Sequence, residues 1–274
     1  MDLKTLANTP SWEWPETADE TLLAVLRDRS ADPGDRLLAA ELAGDYSVMN
    51  TAIAETLLDT VGDSGETAEL RGEAALSMGT ALEHADTMGF EDPEEIMISE
   101  AMFERTRKTL RKLYMDPQLP AELRRQLLEA SAHAPEEWHT QAVREAYASD
   151  DDDWRLTAVF CMQFISGFED QILESLQSQD LEIHYQAVCA AGNWGLKEAW
   201  PHITELLSSS KTDRALLLAA ISAVPAIRPE AAEDILEEFA EHEDDEISET
   251  AMEALAMVEM IEEYEEDDPE DDAE

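Results

Sequence analysis

The sequence predicts an all-α solenoid of about seven stacked helical hairpins, and three observations lead there. Apolar residues recur with the 3.6-residue period of a helix, and no stretch alternates as a strand does. An anchor of acidic or polar residues, followed by Arg and an Ala-rich apolar run, returns about every thirty residues, the length of two short helices and their turns. Neither helix of such a pair can bury its apolar stripe alone, so the pairs must stack on one another.

The anchors stand at Arg36, Arg71, Arg124, Arg155, His184, Arg214 and Ser248, separated by 35, 53, 31, 29, 30 and 34 residues. Asp32-Pro33-Gly34-Asp35-Arg36 opens the run from Leu37 to Ala43, and Asp152-Asp153-Trp154-Arg155 opens the run from Leu156 to Met162. Between anchors lie second amphipathic stretches, such as Gln171 to Leu176 and Trp200 to Leu207, which fit the first helix of the next hairpin. The 53-residue interval holds Phe90-Glu91-Asp92-Pro93 and a helical pattern from Glu94 to Tyr114. Asp92 is its expected N-cap and Pro93 its first helical residue, so residues 86–118 are read as an elongated or additional helix.

The two ends differ from the repeat region, 19–260. Residues 1–18 carry Trp12 and Trp14 between Pro10 and Pro15, and two indoles are costly to leave in water. They are expected to fold back over the first hairpin as a cap. From Glu241 to Glu274 there are 18 acidic residues and no Lys or Arg, and the apolar pattern fails beyond Ile261. Residues 261–274 are therefore expected to be an unfolded acidic tail.

On the turn Asp-Arg-Leu-Leu-Ala-Ala at 35–40 and its copies, the chain resembles the HEAT repeat family over about residues 20–258. Within that family it is most similar to the short bacterial form related to phycobilisome-lyase repeats. The resemblance implies a right-handed superhelix that binds proteins on a curved surface lined by the second helix of each hairpin.

Charge narrows the partners. The chain has 65 Asp and Glu against 18 Lys and Arg, a net charge of −47, and a surface of that sign repels phosphate backbones. Nucleic acid is excluded as a partner, and other proteins are expected. With 44% hydrophobic residues the chain is not wholly disordered. No apolar run reaches about 18 residues, and the N-terminus lacks a basic segment before an apolar core, so a cytoplasmic protein without membrane contact is expected. An acidic surface with 13 Arg against 5 Lys also resembles proteins of salt-loving organisms. Cys161 and Cys189 lie in apolar helical segments and read as small hydrophobes.

No catalytic, cofactor-binding or metal-binding residues are expected. Carboxylates are so numerous that acid pairs carry no weight as general acid and base. Asp150 to Asp153 lack the glycine and ligand spacing of a calcium loop and are read as capping a helix that begins at Trp154. The six histidines are scattered, and His242-Glu243 is the one His-Glu dyad, whereas the iron-binding HEAT-repeat hydroxylase uses several. Nothing in the spacing supports Cys161 and His184 as nucleophile and base. The ten glycines fall mostly at helix ends, Gly192 among them. The expected function is a non-catalytic scaffold or adaptor; the alternatives are a bilin lyase-like enzyme of the same repeat class and an acidic nucleic-acid mimic that binds basic proteins.

Two candidate surfaces remain. Arg105, Arg107, Lys108, Arg111 and Lys112 form a basic patch, read either as internal charge balance or as a docking site for an acidic partner or the tail. Aligned on the anchors, Ala158, Val159 and Met162 match Ala187, Val188 and Ala191, and Leu217, Leu218 and Ile221, as the stripe facing the core. On the opposite side stand Leu156, Phe160, Gln163, Phe164, Tyr185, Cys189 and Asn193, a groove for a peptide or helix unless neighbours cover both sides.

Overall fold

The computed structural model describes residues 2–92 and 96–267. All regular structure among them is helical, and the chain divides into two compact units, Met1–Ala146 and Tyr147–Glu274.

The first unit runs through α1 (Leu3–Ala7), α2 (Ala18–Arg27), α3 (Pro33–Leu42), α4 (Thr51–Gly62) and α5 (Ala68–Leu76). It continues with α6 (Gly79–Met88), α7 (Glu100–Tyr114), α8 (Ala121–Ala132) and α9 (Glu137–Tyr147). Helices α2 and α3, α4 and α5, and α7 and α8 pack as hairpins. The first helices α2, α4 and α7 stack in series, and the second helices α3, α5 and α8 form a parallel series. The second unit contains α10 (Asp152–Cys161), α11 (Glu169–Ser175), α12 (Leu181–Asn193), α13 (Trp200–Ser208), α14 (Arg214–Ile227), α15 (Pro229–Ala240) and α16 (Asp245–Asp267). Its hairpins are α11 with α12, α13 with α14, and α15 with α16, while α10, α12, α14 and α16 pack in sequence as second helices.

Five of the second helices, α3, α5, α10, α12 and α14, are fixed in register by a side-chain N-cap. Asp32, Thr67, Asp151, Asp180 and Asp213 accept hydrogen bonds from backbone N–H groups two or three residues ahead, satisfying donors that the first turn leaves unpaired. The seventh, eighth and eleventh residues beyond the cap are then fully buried: Ala39, Ala40 and Ala43; Ala74, Ala75 and Met78; Ala158, Val159 and Met162; Ala187, Val188 and Ala191. In α14 the same positions are Ala220, Ile221 and Val224, also fully buried, whereas Leu217 and Leu218 are half-buried. The expected core stripe of α14 is thereby corrected. Arg214 is the first helical residue rather than the fourth, so aligning on it displaced the pattern by three positions.

The recurrence of the anchor Arg has a physical cause. Arg36 Nε donates to the Leu26 carbonyl at 3.3 Å, Arg71 Nε to Val61 at 2.9 Å, and Arg124 Nε to Tyr114 at 2.9 Å. Each acceptor lies in the last turn of the hairpin's first helix, where a carbonyl has no partner within its own helix and a cation meets the negative end of the dipole. Arg36, itself buried, also binds Glu66 at 2.7 and 3.0 Å, joining the first hairpin to the second. That guanidinium holds the Glu66 carboxyl below the usual carboxylate range.

Several sequence expectations change. The helix expected from Glu94 begins at Glu100, capped by Ser99 Oγ, and Pro93 lies outside the described residues. The additional helix of the long interval is α6, which ends where that segment was expected to start. Trp12 does not cover the first hairpin; it is 82% exposed. The capping contact comes from Leu3 and Leu6 of α1, both buried, with the Trp14 indole N–H donating to the carbonyls of Leu6 and Thr9 at 3.0 and 2.8 Å. Helix α10 starts at Asp152, two residues before Trp154. Finally, α16 extends to Asp267, into the segment expected to be unfolded. Ile247, Ala251, Ala254 and Val258 anchor it by burial, and once a helix is nucleated, glutamates extend it at little cost. Residues 268–274 lie outside the described residues.

Candidate functional site

The second helices of the second unit line an open groove of about 690 Å³. Its lining includes Gln163 at the end of α10, Tyr185, Cys189 and Asn193 of α12, Leu218 of α14 and Met257 of α16. The floor is made of small residues. A Cβ added at Gly192 would come within 2.9 Å of the Ala223 Cβ, so α12 and α14 approach as closely as their backbones allow. Gly192, the penultimate residue of α12, is therefore a packing residue at the helix end. Glu246 and Glu253 of α16 add carboxylates to a lining whose apolar part is Leu218, Met257 and the alanines of α14 and whose rim carries Gln163, Asn193, Ser222 and Thr250.

A neighbouring cavity of about 370 Å³ is lined by Leu156, Leu181, Tyr185 and Leu216, and Tyr185 belongs to both. Of the seven groove residues expected from the sequence, Gln163, Tyr185, Cys189 and Asn193 thus share the larger cavity, and Leu156 joins Tyr185 in the smaller. Phe160 and Phe164 are half-buried and pack against each other, with ring centroids 5.5 Å apart. Gln163 Nε2 donates to Gln186 Oε1 at 2.6 Å, which ties the end of α10 to α12.

Burial pushes the Cys189 thiol up, and Cys161 is fully buried. His184 points its Nε2 at Nε2 of His202 on α13, 2.6 Å away. Burial lowers the pKa of both rings, favouring neutral imidazole. The sequence does not suggest this pair, because its members lie 18 residues apart on different hairpins; the available signal was that His184 stands where other anchors have Arg.

The basic helix α7 divides in two. Arg105 pairs with Asp59 of α4 at 2.9 Å, and Arg107 pairs with Glu104 and Glu136 at 3.1 and 3.3 Å while lying 5.0 Å over the Phe103 ring. Lys108, Arg111 and Lys112 are exposed, Arg111 lying 5.9 Å over the Trp138 ring. Beneath Trp138, His139 is buried, accepts from the Glu136 N–H at Nδ1 (2.9 Å) and is 3.0 Å from Ser131 Oγ at Nε2. Burial drives its pKa down to about 4.

Among the described residues no group of three or more His, Cys, Asp or Glu is placed to hold a metal ion, and no helix is long and apolar enough to cross a membrane. No protein-family model matches the chain, and no curated protein matches it in sequence. Among solved structures it is similar to the complex of CpcE and CpcF of phycocyanin lyase from Nostoc sp. PCC7120, at 17% identity and TM-score 0.47, covering 92% of this chain and 98% of that one. It is also similar to human deoxyhypusine hydroxylase, at 17% identity and TM-score 0.41, covering 94% and 88%. A third likeness is to Kap121p, at 15% identity and TM-score 0.42, covering 90% of this chain and 27% of that one. The fold itself rests on the chain's own helix pairs. In both units these pairs, with their second-helix series and, in the first, an anchor Arg on the preceding helix end, make a HEAT-like helical repeat.

Proposed function

We propose that the second unit is a docking module for a cationic amphipathic segment of another protein, and that the chain serves as a non-catalytic adaptor. The observation that carries this reading is the groove over α12, α14 and α16, apolar at its floor and bordered by Glu246 and Glu253. It sits in a unit with 35 acidic and 5 basic residues, a charge that favours a basic partner and repels an acidic one. Three neighbouring helices, each about 9 Å apart, span roughly 20 Å, the length of an α-helix of about thirteen residues. The occupant is therefore read as one short helix with Leu or Ile on one face and Lys or Arg on the other, held as in other helix-in-groove complexes.

The reading is tested with a fluorescent 18-residue peptide of Leu and Lys in helical register, titrated with the full chain at low and high salt. Saturable binding that weakens with salt is expected, with at least about a tenfold loss of affinity, roughly 1.4 kcal/mol, in Tyr185→Ser with Leu218→Ser. Equal binding by wild type and variant would assign the attraction to surface charge at large and remove the groove. Binding of an acidic peptide instead would transfer the site to α7.

A further inference from the structure

His184 and His202 bring two ring nitrogens, both metal-ligating atoms, face to face across consecutive hairpins. Their Nε2 atoms are 2.6 Å apart, and the rings are tilted at 53° with centroids 4.9 Å apart. His184 comes from α12 and His202 from α13, so the contact joins consecutive hairpins of the second unit. On the far side of the His202 ring, Nδ1 lies 3.4 Å from Gln177 Nε2, whose N–H donates there and leaves the neutral ring's proton on Nε2; an ion bound at Nε2 moves that proton to Nδ1 and turns the Gln177 amide so that its Oε1 accepts it. Two imidazoles bound to one divalent ion at about 2.0–2.1 Å hold their nitrogens roughly 3 Å apart. Turning the two rings so that their lone pairs converge to one side, with an opening of less than about one ångström, therefore seats an ion beside the pair. Both rings are half-buried rather than enclosed, which leaves the outward side open to water as further ligand. Glu205 lies three residues along α13 from His202, on the same helical face, and adds a carboxylate of the sign that attracts a cation.

We propose that His184 and His202 form a two-nitrogen clamp for a late first-row divalent cation, with water completing its coordination. Imidazole selects Cu²⁺, Ni²⁺ and Zn²⁺ over the hard ions that this carboxylate-rich surface attracts, and Cu²⁺ binds most tightly of the three. The clamp differs from diffuse carboxylate binding in its nitrogen donors, and a bound ion ties α12 to α13. It is separate from the groove, whose lining includes neither histidine.

Electron paramagnetic resonance of the metal-stripped full chain with one equivalent of Cu²⁺ tests the clamp. The expected spectrum carries hyperfine splitting from two imidazole nitrogens. His184→Gln and His202→Gln should each lose the two-nitrogen pattern while keeping the helical circular dichroism of the wild type. A wild-type spectrum with oxygen ligands alone overturns the proposal whatever the variants do. So does a two-nitrogen pattern that survives in either variant, since it would come from other histidines.

Discussion

In the first unit, 13 basic residues meet 30 acidic ones, and three arginines close the hairpins from within; in the second, 5 basic residues meet 35 acidic ones. Both units have the same structural need, a donor for the last carbonyls of a helix that ends beneath its neighbour. The first meets it with guanidinium groups, and it also buries the polar side chains of Thr60, Ser77, Ser131 and His139. The second uses neutral donors: the Trp194 indole N–H on the Met162 carbonyl at 2.7 Å, and the Ser248 hydroxyl on the Ala240 carbonyl at 2.7 Å. Its arginines work nearer the surface, Arg155 on the Ser149 carbonyl at 3.3 Å and Arg214 on Asp244 at 2.7 Å. A repeat can therefore change its latch while keeping its fold, and the unit without buried cations is left strongly negative with an open second-helix face.

The largest expected effect breaks the comparison at its root. Arg36→Met removes a buried cation from Glu66 and from the Leu26 carbonyl, and loss of one partner of a buried ion pair costs about 3–5 kcal/mol. Ser248→Ala, which removes a single neutral hydrogen bond, should cost about 1 kcal/mol. Denaturant unfolding of both variants measures the difference, and equal losses would mean that the two latches are equivalent.

A pH effect belongs to the first unit. The folded pKa of His139 is about 4, below its ordinary 6.5, so between these values the unfolded chain binds the proton and the folded chain does not. The stability associated with a neutral His139 is thus complete above about pH 6.5 and falls as pH drops toward 4, by up to about 1.4 kcal/mol per unit and roughly 3 kcal/mol in all. His139→Gln should lack this part of the pH dependence. A variant that tracks the wild type from pH 7 to 4.5 would show that the ring is not the titrating group.

The smallest expected effects concern the groove. Tyr185→Ser should lower stability by less than about 1 kcal/mol, because the ring is 36% exposed. Phe160→Ser and Phe164→Ser should each cost more, about 2 kcal/mol, because both rings are half-buried against each other. Thermal melting ranks the three, and a Tyr185 variant that melts with the phenylalanine variants would place that ring in the core.

The hairpin period was legible because burial writes it directly: Ala158, Val159 and Met162 are apolar for the same reason that they are at zero exposure. Register was legible only where a cap residue stood at constant distance from its Arg, which is why α14, with Arg214 next to its cap, was misaligned. Trp12 was misjudged because the cost of exposing an indole says nothing about whether a surface is within reach. Four of the seven groove residues share one cavity, since i, i+4 and i+8 on α12 fix Tyr185, Cys189 and Asn193 on one face. Contacts between hairpins were not legible. The pairing of Arg36 with Glu66 and of His184 with His202 depends on how repeats stack, which no local pattern encodes.

Hydrogen exchange of the full chain with and without the Leu-Lys peptide tests the central claim most directly, because it reports on both units at once. The account predicts added protection within α12, α14 and α16, with α2 to α8 unchanged. Added protection confined to α7, or none in the second unit while the peptide is bound, would contradict it.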